Sequence, residues 1–192
     1  MEFRLFYEGP LKSNGDAKTK HLIRKVFHQQ LKRLWEQHDL LKLASTRRID
    51  FIEGSLVNIL AKQFDKCGFH FVPLVNKKFD LICSLDILFL RHSKPGELIE
   101  HGGDLDNRLK TLFDGLKVPP NCDGIAGDPD PDEVPFFCLL EDDALISTLS
   151  VTTDRLLTPV GEGNQRHDVV LVIHVNMSAA ESLSYGNMQY VK

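Results

Sequence analysis

The stretch Gly103-Asp104-Leu105-Asp106-Asn107-Arg108-Leu109-Lys110 holds the densest set of groups able to do chemistry in this chain. Asp104 and Asp106 are two residues apart, so extended backbone puts both carboxylates on one side. Lys110 lies four residues after Asp106, and Asp114 four after Lys110, which sets the three along one helix face. Two close carboxylates repel unless a cation lies between them, and hard oxygen ligands select Mg²⁺ or Mn²⁺. Such an ion takes one or two carboxylates plus a substrate phosphate, and a nearby Lys adds a point charge for that phosphate. The set is equipment for metal-assisted phosphodiester hydrolysis. A bare Asp-x-Asp also serves metal-dependent glycosyl transfer. Asp106 or Asn107 is equally suited to cap a helix, and Asp114 to pair with Lys110.

A second acidic group, Glu141-Asp142-Asp143, separates two apolar runs. It reads either as the completion of that coordination shell or as an acidic turn between hairpin strands. The Asp128–Glu133 stretch lacks the Gly and Glu of a calcium loop and reads as solvated acid. Cys67, Cys83, Cys122 and Cys138 have no metal-ligand spacing, so neither a zinc site nor a disulfide scaffold is expected. His21, His28 and His38 read as surface residues, and His167 and His174, seven apart on a strand, point to opposite faces. Gly161-Glu162-Gly163 is too short for a phosphate loop.

Positioning these groups takes strands and helices in irregular order. Residues 2–7 alternate as a strand ending at Gly9-Pro10. Helical spacing runs over 17–43 through Leu22, Ile23, Val26, Phe27, Leu31, Leu34 and Trp35, and again within 49–65. Phe69–Val75 and Lys78–Leu90 flank Asn76-Lys77 as a hairpin, the second run being long and apolar enough for a sheet centre. A polar loop over 91–103 leads to a helix over 106–117, which Pro119-Pro120 ends. Residues 119–135 read as a loop, and 134–140, 145–153 and 167–177 as strands. The sum is one α+β domain over 1–177, a small mixed β-sheet packed with helices, and a loose tail over 178–192.

Of the 192 residues, 42% are hydrophobic, which excludes wholesale disorder. The net charge of −4 hides a division. Residues 1–100 carry 17 Lys and Arg against 12 Asp and Glu, while 101–192 carry 6 against 15. Lys18, Lys20, Arg24, Lys25, Lys32, Arg33, Lys42, Arg47 and Arg48 crowd into 18–48, which reads either as a solvated helix face or as a candidate polyanion-binding face. No run approaches a membrane span, and the start, Met-Glu-Phe-Arg-Leu-Phe-Tyr, lacks the regions of a signal peptide, so the cytoplasm is the expected compartment.

The string Asp104-Leu105-Asp106-Asn107-x-x-Lys110-x-x-x-Asp114-x-Leu116, followed by Asp142-Asp143 and an apolar strand, resembles the RusA-type Holliday junction resolvases. The resemblance covers about 80–155 and extends loosely to the N-terminal strand. It implies a Mg²⁺-dependent endonuclease acting on branched DNA in recombination and repair, working as a homodimer. Asp104, Asp106 and Asp143 would be the metal-binding catalytic aspartates, with Asp142 assisting. Lys110 would stand near the scissile phosphate, and Asn107 would orient the loop or cap the helix. The chain departs from the pattern in an acidic, Pro-rich insertion over 118–137 and a long helical region before the core. A non-catalytic nucleic-acid- or partner-binding module on the same scaffold is the alternative.

Overall fold

A computed structural model describes residues 1–46, 55–92, 104–157 and 168–181. Strand β1 (Glu2–Pro10) leads to helices α1 (Ala17–Gln37), α2 (Asp39–Thr46) and α3 (Leu56–Gln63). Strands β2 (Asp65–Lys66), β3 (Phe69–Val75) and β4 (Leu81–Arg91) come next, then α4 (Asp104–Leu116), β5 (Phe136–Leu140), β6 (Ile146–Arg155) and β7 (Asp168–Ala179). The fold is α+β, with one sheet in the order β1-β7-β4-β6 and a second in the order β2-β3-β5. β7 runs antiparallel to β1 and β4, whereas β6 runs parallel to β4. The path from β4 through α4 to β6 is therefore a crossover, not a hairpin.

Period-two alternation decides which side of the large sheet is buried. Leu85, Ile87 and Phe89 of β4 and Leu171, Ile173 and Val175 of β7 turn inward. Helix α1 starts where the Asp16 carboxylate accepts the Thr19 N–H at 2.8 Å. It then buries Ile23, Phe27, Leu31 and Trp35, one side chain per turn. His28 stacks on Phe136 at 4.3 Å between ring centroids, and Phe69 and Phe71 complete this aromatic core.

Three local expectations change. β3 and β4 are not hairpin arms, because they belong to different sheets. The Asn76 side chain accepts the Phe79 N–H at 3.1 Å, closing a 3-10 turn, and Asp80 adopts a left-handed φ of 53°. β3 then pairs in parallel with β5. The single helix over 17–43 is broken at His38, whose extended backbone separates α1 from α2. Cys67 and Cys122 form a disulfide with their Cα atoms 5.9 Å apart, contrary to the expectation of four thiols, while Cys83 and Cys138 stay reduced and buried. β7 extends to Ala179, beyond the expected tail boundary, and 182–192 lie outside the described residues. No helix among the described residues is long and apolar enough to cross a membrane.

Candidate active site

Helix α4 is held by its inner face. Leu112 and Leu116 are buried, and the buried Arg108 donates to the Leu11 carbonyl. Thr111 Oγ1 donates to the Asn107 carbonyl at 3.1 Å and accepts the Gly15 N–H at 2.9 Å. At Gly115 a methyl group would lie 2.5 Å from Ile23 Cγ2, so only glycine lets α1 and α4 approach this closely. These contacts fix the rotation of α4 and thereby turn Asp106 and Lys110 to solvent.

Asp106 and Lys110 pair at 3.3 Å, with their side chains 70% and 67% exposed. The helix begins at Asp104, so Asp106 and Asn107 lie within its first turn and neither is the cap the sequence suggested. The side chain of Asp104 lies outside the described residues, as do Arg47, Arg48, His167 and Gly161–Gly163.

The far end of α4 is built otherwise. Lys117 Nζ lies 2.8 Å from Asp143 Oδ2 and 3.2 Å from Asp114 Oδ1, and Asp114 Oδ2 lies 2.7 Å from Lys20 Nζ. Asp114 thus pairs with Lys20 and Lys117, not with Lys110. Burial alone would raise the Asp114 carboxyl, but the two bonded ammonium groups hold it below its ordinary 3.8. Burial alone would lower Lys117, yet Asp143 and Asp114 outweigh it and raise the amine above 10.5. The Asp142 carboxylate accepts the Ala144 N–H at 3.0 Å, and Glu141 Oε2 accepts the Lys77 N–H at 2.8 Å. The acidic turn joins β5 of one sheet to β6 of the other, so it is not a hairpin turn.

Roughly 12 Å of helix axis separate Asp106 from Asp114, at 1.5 Å per residue. Asp106 and Asp143 accordingly engage different lysines at opposite ends of α4. Among the described residues, no three His, Cys, Asp or Glu side chains gather in one place. Within one chain Asp106 and Asp143 therefore do not share one Mg²⁺ or Mn²⁺.

The basic helix divides too. Arg24 is buried, and its guanidinium donates to the carbonyls of Asp114 (2.7 Å), Lys117 (3.1 Å) and Gly124 (3.2 Å). It closes the C-terminal end of α4 and is not available to DNA. Lys25 meets Glu133 at 2.8 Å and Asp130 at 3.1 Å, and Lys32 donates to the Asp132 carbonyl at 2.9 Å. The acidic insertion is thus docked on α1 and not solvated, with Lys66 donating to Pro119 and Pro120 beside the disulfide. Lys18 and Arg33 remain exposed. Lys18 edges an open groove of about 750 Å³ between β1, α1 and the insertion, lined also by Lys12, Leu22 and Asp130.

Two histidines expected at the surface are core residues. His28 Nδ1 accepts the Phe137 N–H at 2.9 Å, and burial lowers its pKa. Burial, with Arg24 adjacent, pushes His21 down to about 4. Sequence reading passed over Lys117 altogether; its one signal is the three-residue spacing from Asp114. No family model matches this chain, and no curated protein or solved structure matches it either.

Proposed function

We propose that the chain is a Mg²⁺- or Mn²⁺-dependent, structure-specific endonuclease acting on branched DNA such as Holliday junctions, as a homodimer in the cytoplasm. One observation carries the reading. The Asp-x-Asp-Asn-x-x-Lys string occupies the solvent-facing first turns of α4, directly after the central strand, with Asp106 and Lys110 exposed to an incoming phosphate. Asp142-Asp143 then lies at the 3-10 turn that precedes β6, a strand parallel to that central one, in the order of elements the RusA resemblance implies. Asp106 and Lys110 would meet the scissile phosphate, while Lys18 and Arg33 would supply sequence-independent backbone contacts.

Nicking of junctions, flaps and forks in Mg²⁺ or Mn²⁺ tests the proposal. Asp106→Asn should abolish cleavage without changing the thermal melt, whereas Asp143→Asn should abolish cleavage and also lower the melt, because it takes a carboxylate from Lys117. Intact substrates in both metals would overturn it. The separation of Asp106 from Asp143 along α4 favours a second reading, a non-catalytic nucleic-acid- or partner-binding module. That reading predicts steeply salt-dependent DNA binding that Asp106→Asn leaves unchanged.

A further inference from the structure

The acidic insertion lies on α1 as a ligand would. Lys18, Lys25 and Lys32 recur every seven residues, so they share one side of the helix at steps of about 10 Å. Two of the three are engaged by this chain's own acidic segment. Lys25 Nζ meets Glu133 Oε1 at 2.8 Å and Asp130 Oδ2 at 3.1 Å, and Lys32 donates to the Asp132 carbonyl at 2.9 Å. Gln29, between them, donates to Asp132 Oδ2 at 3.4 Å. Carboxylates thus stand where the phosphates of a bound polyanion would, while Lys18 is left to solvent.

Little apolar surface holds the segment down. Residues 120–132 are all partly or fully exposed, with Ile125 packed against the core. Such sparse burial marks a segment that opens locally at low cost. At its start Arg24 donates to the Gly124 carbonyl, and Lys66 to those of Pro119 and Pro120. The Cys67–Cys122 bond adds a covalent fastening at the same place. Both of these cysteines are exposed, whereas Cys83 and Cys138 are buried, so a reductant can reach the bond. Cys67 also sits in unfavourable backbone. With Gly68 it forms the two-residue turn between β2 and β3, at a left-handed φ of 57° that favours Asn. A cysteine is a poor turn residue there, and the bond to Cys122 is what it contributes.

We propose that the insertion is a redox-fastened strap over the polyanion-binding face of α1. The disulfide holds the acidic segment on Lys25 and Lys32, and its reduction frees both lysines for phosphate. The inference rests on the nucleic-acid reading of this face and adds its regulation. A dithiol supplies the chemistry. Its thiolate attacks one sulfur of the bond and expels the other cysteine, and its second thiol then displaces the first. Each departing cysteine thiolate takes up a proton given by the dithiol. Two electrons pass to the protein, both cysteines end as thiols, and the reductant ends as a disulfide. A reducing cytoplasm leaves the strap loose, and oxidation fastens it.

Fluorescence anisotropy with a labelled four-way DNA junction, on the full chain before and after dithiothreitol, tests the strap. Reduction should tighten binding at least about fivefold and steepen the salt dependence by about two counterions, one for each freed lysine. Cys67→Asn, which suits the turn, should bind like reduced protein with or without reductant. Cys122→Ser should do the same and decides the matter should Cys67→Asn fail to fold. Lys25→Gln combined with Lys32→Gln should abolish the gain. Amide hydrogen exchange should quicken over 120–133 on reduction and stay unchanged in β4 and β7. Measurable binding that is equal in both redox states would overturn the strap and leave the DNA reading standing. So would exchange over 120–133 that reduction does not alter, or a gain that survives loss of both lysines. No binding in either state would overturn the DNA reading and the strap together.

Discussion

The two ends of α4 carry the same kinds of side chain in opposite circumstances. At the N-terminal end, Asp106 and Lys110 pair in water. At the C-terminal end, Lys20, Asp114, Lys117 and Asp143 form a half-buried chain of charges, and Arg24 binds the adjacent carbonyls. Solvent makes the first pair nearly neutral for stability and leaves it open to a ligand. Burial makes the second a structural element, because removing one member strands the others. Residue type alone does not separate a binding group from a strut; exposure and the number of partners do.

The contrast is sharpest if the strut is cut. Arg24→Met should cost the most, about 3 kcal/mol in urea unfolding, since two carbonyls at the end of α4 and that of Gly124 in the insertion lose a charged donor. Lys117→Met should cost about 2 kcal/mol by the same measurement, by leaving Asp114 and Asp143 facing each other without their shared cation.

A pH series separates the ends further. The Asp114 carboxyl is held below 3.8 in the fold, so its contribution is complete above that value and fades as the pH falls through the lowered one. Lys117 is the converse, complete below 10.5 and fading as the pH rises through its raised value. Lys117→Met should flatten both limbs of the stability profile, and an unchanged acid limb would remove Asp114 from the strut. The smallest effect belongs to the exposed end: Lys110→Met should change stability by less than about 0.5 kcal/mol. If it also leaves DNA cleavage or binding untouched, the N-terminal end of α4 loses its claim to function.

Periodicity made much of this fold legible. The alternation in 2–7 and the apolar spacing of Ile23, Phe27, Leu31 and Trp35 specify β1 and α1, because local geometry decides which side chains share a face. Strand partners were not legible. The hairpin reading of 69–90 failed because a cap by Asn76 and a left-handed Asp80 redirect the chain, a choice settled by pairing with residues over sixty positions away. The site divides in the same way. Asp106 and Lys110 were visible from four-residue spacing along one helix, whereas the bond between Lys117 and Asp143 spans 26 residues and leaves no pattern. Arg24, His21 and His28 look like surface groups in a basic helix, but they are buried against the end of α4, the aromatic residues of β3 and β5, and the insertion.

The Cys67–Cys122 bond encloses β3, β4 and the whole of α4 in one covalent ring. A protease that cuts once anywhere between these cysteines opens the chain without dividing it. The clipped protein would migrate near its full 21.8 kDa without reductant and as two fragments with it. Oxidised protein therefore keeps the aspartate-bearing helix tethered to both halves after a nick, while a reducing compartment would let the same nick release it.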